Sequence, residues 1–144
     1  MKYSVLAGRI LYSLIFIMTA LGHFSDKYIS YAASQGVPLA AIAVPLSGIL
    51  ATLGGLSVAL GYKARYGAWL LVLFLVPVTA MMHNFWSVAD PMMAQMQMVM
   101  FMKNVTMIGS ALLIAHFGSG PLSLDAWLAA RQTRRAEHNQ PVTA

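Results

Sequence analysis

The chain contains no cysteine in its 144 residues, which excludes any disulfide, thiol relay or thiolate-held metal within it. Charge is also scarce: 9% of residues are Asp, Glu, Lys or Arg, and only four of those are acidic. None of the four carboxylates, Asp26, Asp90, Asp125 and Glu137, falls inside a long apolar run. A carboxylate di-metal centre or an acidic proton relay across a membrane therefore has no ligands. No glycine-rich phosphate loop and no nucleophile elbow is present. The alternating ten-residue pattern of a membrane β-barrel is missing too, as is any internal repeat.

What the chain has in abundance is apolar length. Hydrophobic residues make up 59% of it and the mean hydropathy is +0.69, beyond the range of a soluble domain. Four windows, about 5–22, 39–61, 66–83 and 94–117, are long enough at ~1.5 Å per residue to cover most or all of a ~30 Å hydrocarbon layer. Spanning backbone must satisfy its own hydrogen bonds, so the expected fold is all-α, an integral membrane four-helix bundle forming one domain over residues 1–135. Arg9 and the length of the first window argue against a cleaved signal peptide.

Two further helices are expected outside the spans. Over 25–35, Ser25 supplies an N-cap, Asp26 an acidic first turn, and Gly36 with Pro38 a stop. Tyr28 and Tyr31 suit the headgroup level, giving an interfacial helix after the first span that would act as a lid. Over 123–135, Leu124, Trp127 and Leu128 oppose Arg131, Arg134 and Arg135 on an amphipathic C-terminal helix. Residues 136–144 read as a disordered tail.

The net charge of +5 reflects topology rather than nucleic-acid binding. Lys2, Arg9, Lys63, Arg65, Arg131, Arg134 and Arg135 all fall on the side that an even-numbered bundle shares with its termini, and Lys27 alone falls opposite. By the positive-inside rule both termini are cytoplasmic. The basic side faces anionic headgroups of the bilayer.

Polar residues within the spans fall on helical faces. Arg9, Tyr12, Ser13, Phe16, Thr19, Ala20 and His23 make one stripe, and Thr79, His83 and Trp86 another. On the fourth span, Lys103, Thr106 and Ser110 form a stripe with Gln97 and Asn104 beside it. Small residues Ser47, Ala51, Gly55 and Ala59 form a packing ridge on the second span. If the polar faces close together, the outer half of the bundle gains a lining of His23, His83, Gln97, Lys103 and Asn104, with Trp86 at its rim. Lys103 is the costly member, because an intramembrane lysine costs at least ~2.5 kcal/mol unless paired or hydrated. Two readings stand for it: a pocket donor, or a side chain snorkelling outward toward Asp26 or Asp90. Arg9, near the inner surface, is expected to snorkel to phosphates. The methionines of 92–107 surround their helix, which suits soft packing better than a thioether copper path.

Lys, His and Asn donors in an apolar wall suit a carbonyl, phenolate or anionic headgroup on a hydrophobic body. A quinone fits, as do a lipid and an aromatic acid. No metal site is expected, and two histidines at helix ends make a bis-histidine haem a poor fit.

The segments Gly8-Arg9-Ile10-Leu11, Gly36-Val37-Pro38, Gly54-Gly55, His83-Asn84-Phe85-Trp86, Lys103-Asn104 and Gly120-Pro121-Leu122-Ser123-Leu124-Asp125 resemble, in order and spacing, the DoxX family of small bacterial four-helix membrane proteins. The resemblance implies a multi-pass protein of the bacterial inner membrane, associated with redox systems such as thiosulfate:quinone oxidoreductase. It carries over Arg9, His83, Trp86 and Lys103-Asn104 as family features. Many such relatives carry a glutamate where this chain has Ala51, so the acidic partner of Lys103 or Arg9 is missing.

Three functional readings follow. The first is an inner-membrane redox-associated protein that binds a quinone through His23, Phe85, Trp86, Gln97, Lys103 and Asn104. His83 and Lys103 would be its catalytic groups, and a separate redox protein would be needed because the chain encodes no electron carrier. Whether that makes it an oxidoreductase subunit is open. The second is a non-catalytic membrane scaffold or assembly factor for a redox or stress complex; a homo-oligomer is compatible with each reading. The third is handling of a small organic anion or a lipid.

Overall fold

A computed structural model describes residues 2–138. It contains α1 (Lys2–Thr19), a 3-10 turn (Ala20–Phe24), α2 (Asp26–Ser34), α3 (Ala40–Leu60), α4 (Ala64–Met82), a 3-10 turn (Phe85–Ser87), α5 (Pro91–Phe117) and α6 (Leu124–His138). Four helices, α1 with its following turn, α3, α4 with its following turn, and α5, are long and apolar enough to cross a membrane. The protein is an all-helical four-span bundle with a short helix after the first span and an amphipathic helix after the last.

Lipid tails are as apolar as leucine, so helices in a bilayer associate through close packing rather than hydrophobic expulsion from water. The small residues of α3 make that packing possible. A Cβ on Gly54 would stand 2.9 Å from the Gly67 carbonyl oxygen, and one on Gly67 3.0 Å from that of Gly54, so α3 and α4 touch backbone to backbone. On the adjoining face, Gly55 receives α1, where a Cβ would lie 3.1 Å from that of Phe16. The expected ridge is present at Ala51 and Gly55, which are buried, while Gly48 and Gly54 beside them complete it. α3 is thus the central helix, with α1 and α4 against it, and α5 packs on α4. Phe16, Ala51, Val58, Ala68, Leu71, Phe74, Leu75 and Ala111 form the main core.

Two local features fix the ends of the outer spans. Asp90 caps α5, its carboxylate accepting the Met93 N–H at 2.8 Å, with Pro91 in the first turn where its missing donor costs nothing. The helix therefore begins three residues before the expected span. Ser25, expected to cap α2, instead donates its hydroxyl to the Gly22 carbonyl at 2.8 Å and ties α2 back to the preceding turn. α2 then packs through Ala32 onto Ala40 and Val44 at the start of α3, with Met82 of α4 alongside. α6 is capped by Ser123, whose hydroxyl accepts the Ala126 N–H at 3.1 Å, and it continues through 136–138. The rest of the expected tail lies outside the described residues.

Candidate ligand cavity and the placement of the polar residues

α2 lies over one end of the bundle, and beneath it a cavity of about 600 Å³ opens between α2, α3, α4 and the turn after α1. Its wall is almost wholly apolar, including Val44, Leu50, Phe74, Pro77 and Met81. His23, Tyr28, Tyr31, Ser47 and His83 are the polar side chains on it. A cavity of this size and composition, with a few polar groups, has the anatomy of a small-molecule site.

Both histidines are held by local structure. The turn at Ala20–Phe24 brings His23 against α3 where Gly48 has no side chain; a Cβ there would meet the His23 Cβ at 2.5 Å. The His23 ring meets Phe74 edge-on at 5.8 Å and lies 6.1 Å from the Tyr28 ring. Its Nδ1 stands 3.1 Å from the Thr19 carbonyl oxygen, an acceptor only, so Nδ1 carries the proton in that bond. His83 ends α4, and its Nδ1 lies 2.7 Å from Gln97 Oε1 on α5. In this pairing the ring donates from Nδ1. Each neutral imidazole is then left with Nε2 as an acceptor, and each gains a donor there when protonated.

The remaining residues expected in one pocket lie elsewhere. α5 contributes no residue to the cavity wall. Gln97 reaches it only through its bond to His83. Asn104 is 5% exposed and turned into the bundle, whereas Lys103, next to it in sequence, is exposed on the outer side of α5. Lys103 Nζ stands 3.6 Å from Met100 Sδ, one turn back on its own helix. The polar lining expected from closing both α5 stripes is therefore split, because α5 packs through Asn104 and Ala111. Phe85 and Trp86, in the α4–α5 turn, are also off the cavity wall; they meet each other edge-to-face at 5.2 Å and Phe101 of α5 at 5.5 and 5.9 Å. Trp86 is 63% exposed.

A second polar assembly, at the opposite end, escaped the sequence reading. Arg9 does not snorkel to the surface: it is 3% exposed, and its guanidinium donates to the carbonyls of Ser119 and, at 2.6 Å, Leu122. The Asp125 carboxylate accepts the Lys63 N–H, 3.0 Å from each oxygen, and the Ser119 hydroxyl. In return the Asp125 N–H reaches the Gly61 carbonyl at 3.1 Å. Lys63 adopts a left-handed backbone (φ 49°) to present that N–H. Partial burial works to raise the Asp125 pKa, but the backbone N–H groups of Lys63 and Ala64, the Ser119 hydroxyl and the Arg9 charge outweigh it and hold the acid below its ordinary range. Nothing in the residue types of 118–122 marks the Ser119 and Leu122 carbonyls as partners for Arg9.

A family model described as the SURF4 family matches residues 1–128. The Escherichia coli (strain K12) protein described as inner membrane protein YphA is 28% identical over 123 residues, covering 84% of this chain and 87% of that protein. No solved structure matches. These matches correct the DoxX resemblance. Several segments that carried it do general structural work, Gly54-Gly55 in helix contact and Gly120 to Asp125 in the latch around Arg9, so they do not single out one family. The redox association that rested on it is withdrawn. With four apolar spans and an inner-membrane relative, the protein is a multi-pass inner-membrane protein. The chain belongs to the SURF4 family.

Proposed function

We propose that the protein binds a hydrophobic molecule with a small oxygen-bearing headgroup, of which a quinone or its quinol is the representative, in the cavity beneath α2. The observation that carries this reading is the presence of His23 and His83 on the wall of one largely apolar cavity of about 600 Å³. Neutral Nε2 atoms accept from a ring hydroxyl, and protonated ones donate to a ring carbonyl. An isoprenoid or acyl tail is accommodated by the surrounding apolar wall and the lipid. Lys103 has no part in this site. The chain encodes no electron carrier, so the reading is one of binding and headgroup protonation rather than of a self-sufficient oxidoreductase.

The orientation follows from charge. Lys2, Lys63, Arg65 and the arginines of α6 belong to the end of the bundle where the α3–α4 turn meets α6 through Lys63 and Asp125, and the positive-inside rule puts that end, with both termini, in the cytoplasm. The cavity then lies in the outer half, with α2 as its cover.

The test is a titration of the purified protein in neutral nanodiscs with a short-tailed quinone and its quinol. His23→Ala and His83→Ala are each expected to weaken binding about 10-fold, the worth of one hydrogen bond, while Lys103→Met leaves it unchanged. Binding that depends on Lys103 and not on either histidine contradicts the reading.

A further inference from the structure

α5 is the least covered span: 11% of its apolar window is buried inside the bundle, against 22–28% for the other three. Its outer face carries Met96, Val99, Lys103, Thr106, Ser110 and Leu113 at helical spacing. Lys103 is twelve residues from Pro91 and fourteen from Phe117, ~18 Å and ~21 Å along the axis. It therefore stands at the helix midpoint, ~13 Å below the nearer boundary of a ~30 Å hydrocarbon layer. Snorkelling serves lysines near helix ends, not at the centre.

The neighbouring polar groups give Lys103 no relief. Thr106 and Ser110 each donate their hydroxyls to carbonyls of their own helix, at 3.0 Å. Among the described residues no carboxylate pairs with it. A second copy of the chain cannot supply one either, since all four acidic residues lie outside the spans, and Asp90 and Asp125 already hold backbone N–H groups. The face has room for a close neighbour: Gly109, at its flank, faces open space, with nothing within 4 Å of a Cβ placed there, and the small Thr106 and Ser110 let a backbone approach. The methionines beside them adapt to varied partners.

We infer that the outer face of α5 docks a transmembrane helix of another protein, and that this helix carries a carboxylate at mid-membrane depth that pairs with Lys103. The charge decides the class of partner, because only an acid buried at the same depth relieves both groups at once. α5 gives nothing to the cavity, so this face is independent of what the cavity binds.

The probe is a leucine-alanine transmembrane peptide with one Glu at its midpoint, compared with the same peptide carrying Gln. Energy transfer is read in phosphatidylcholine vesicles from a label on Gln95→Cys, the chain having no other cysteine. The Glu peptide is expected to associate at least 10-fold more tightly than the Gln peptide. Lys103→Met abolishes the difference, Lys103→Arg keeps it, and Gly109→Leu weakens association of the Glu peptide. Equal association of the two peptides, or a Glu preference that survives in Lys103→Met, overturns the inference. So does self-association of the chain that excludes the peptide, which assigns the face to a second copy. Loss of the Glu preference on adding phosphatidylglycerol overturns it in favour of an anionic lipid.

Discussion

His83 Nδ1 and Gln97 Oε1 stand 2.7 Å apart and join the end of α4 to the first turns of α5. The bond fixes which nitrogen of His83 carries the proton, and so what the other nitrogen offers a ligand. Gln97→Leu removes that acceptor without entering the cavity. It is expected to weaken quinol binding by roughly 3- to 10-fold, and ¹⁵N chemical shifts of His83 should report a mixture of tautomers where the parent shows one.

The contact between Gly54 and Gly67 leaves no room for a side chain on either helix. Gly54→Val and Gly67→Val should each destabilise the bundle by about 1–3 kcal/mol, the usual cost of overpacking. Gly109→Ala, in open space, should be neutral or slightly stabilising. Thermal unfolding of the three variants in detergent, followed by circular dichroism, checks the order.

Asp125 holds the left-handed Lys63 N–H at the start of α4, and Asp125→Ala should cost about 1 kcal/mol, as loss of a helix cap does. Because the folded-state pKa is held below its ordinary value, its stabilisation is fully present above the unfolded carboxylate value of about 4. It is lost as the pH falls from there through the lower folded value. Proteolytic release of α6 should therefore accelerate below about pH 4 in the parent, and Asp125→Asn should remove that part of the acid sensitivity.

Arg9 donates to the part-buried carbonyls of Ser119 and Leu122 in the segment that leads into α6. Arg9→Met should loosen residues 118–125, read as faster amide exchange there, with exchange in α3 and α4 little altered. Arg9→Lys should rescue only part, since a single ammonium does not reproduce the planar fork.

The spans and both flanking helices were legible because hydropathy and the turn residues between the apolar runs point the same way. The stripe on α1 was legible too: Arg9, Ser13, Phe16 and Ala20 are buried on one face. The stripes on α5 were not, and the reason is physical. Hydroxyls such as Thr19, Thr106 and Ser110 satisfy themselves on the preceding turn, so a polar stripe on a membrane helix need not face inward. Lys103 and Asn104 are adjacent and point to different surroundings, which periodicity allows and does not decide. Arg9 was misjudged because its partners are backbone carbonyls about 110 residues away, and no residue type announces a free carbonyl.

The cavity beneath α2 is tested most directly by photo-crosslinking with an azido-quinone in the native membrane, followed by mass spectrometry of the labelled peptides. The account predicts adducts on Tyr28, Tyr31, Met81 or Met82, lost on competition with unlabelled quinone and reduced in His83→Ala. Competable adducts confined to the α5 peptide around Met100 and Lys103, with none under α2, would contradict it.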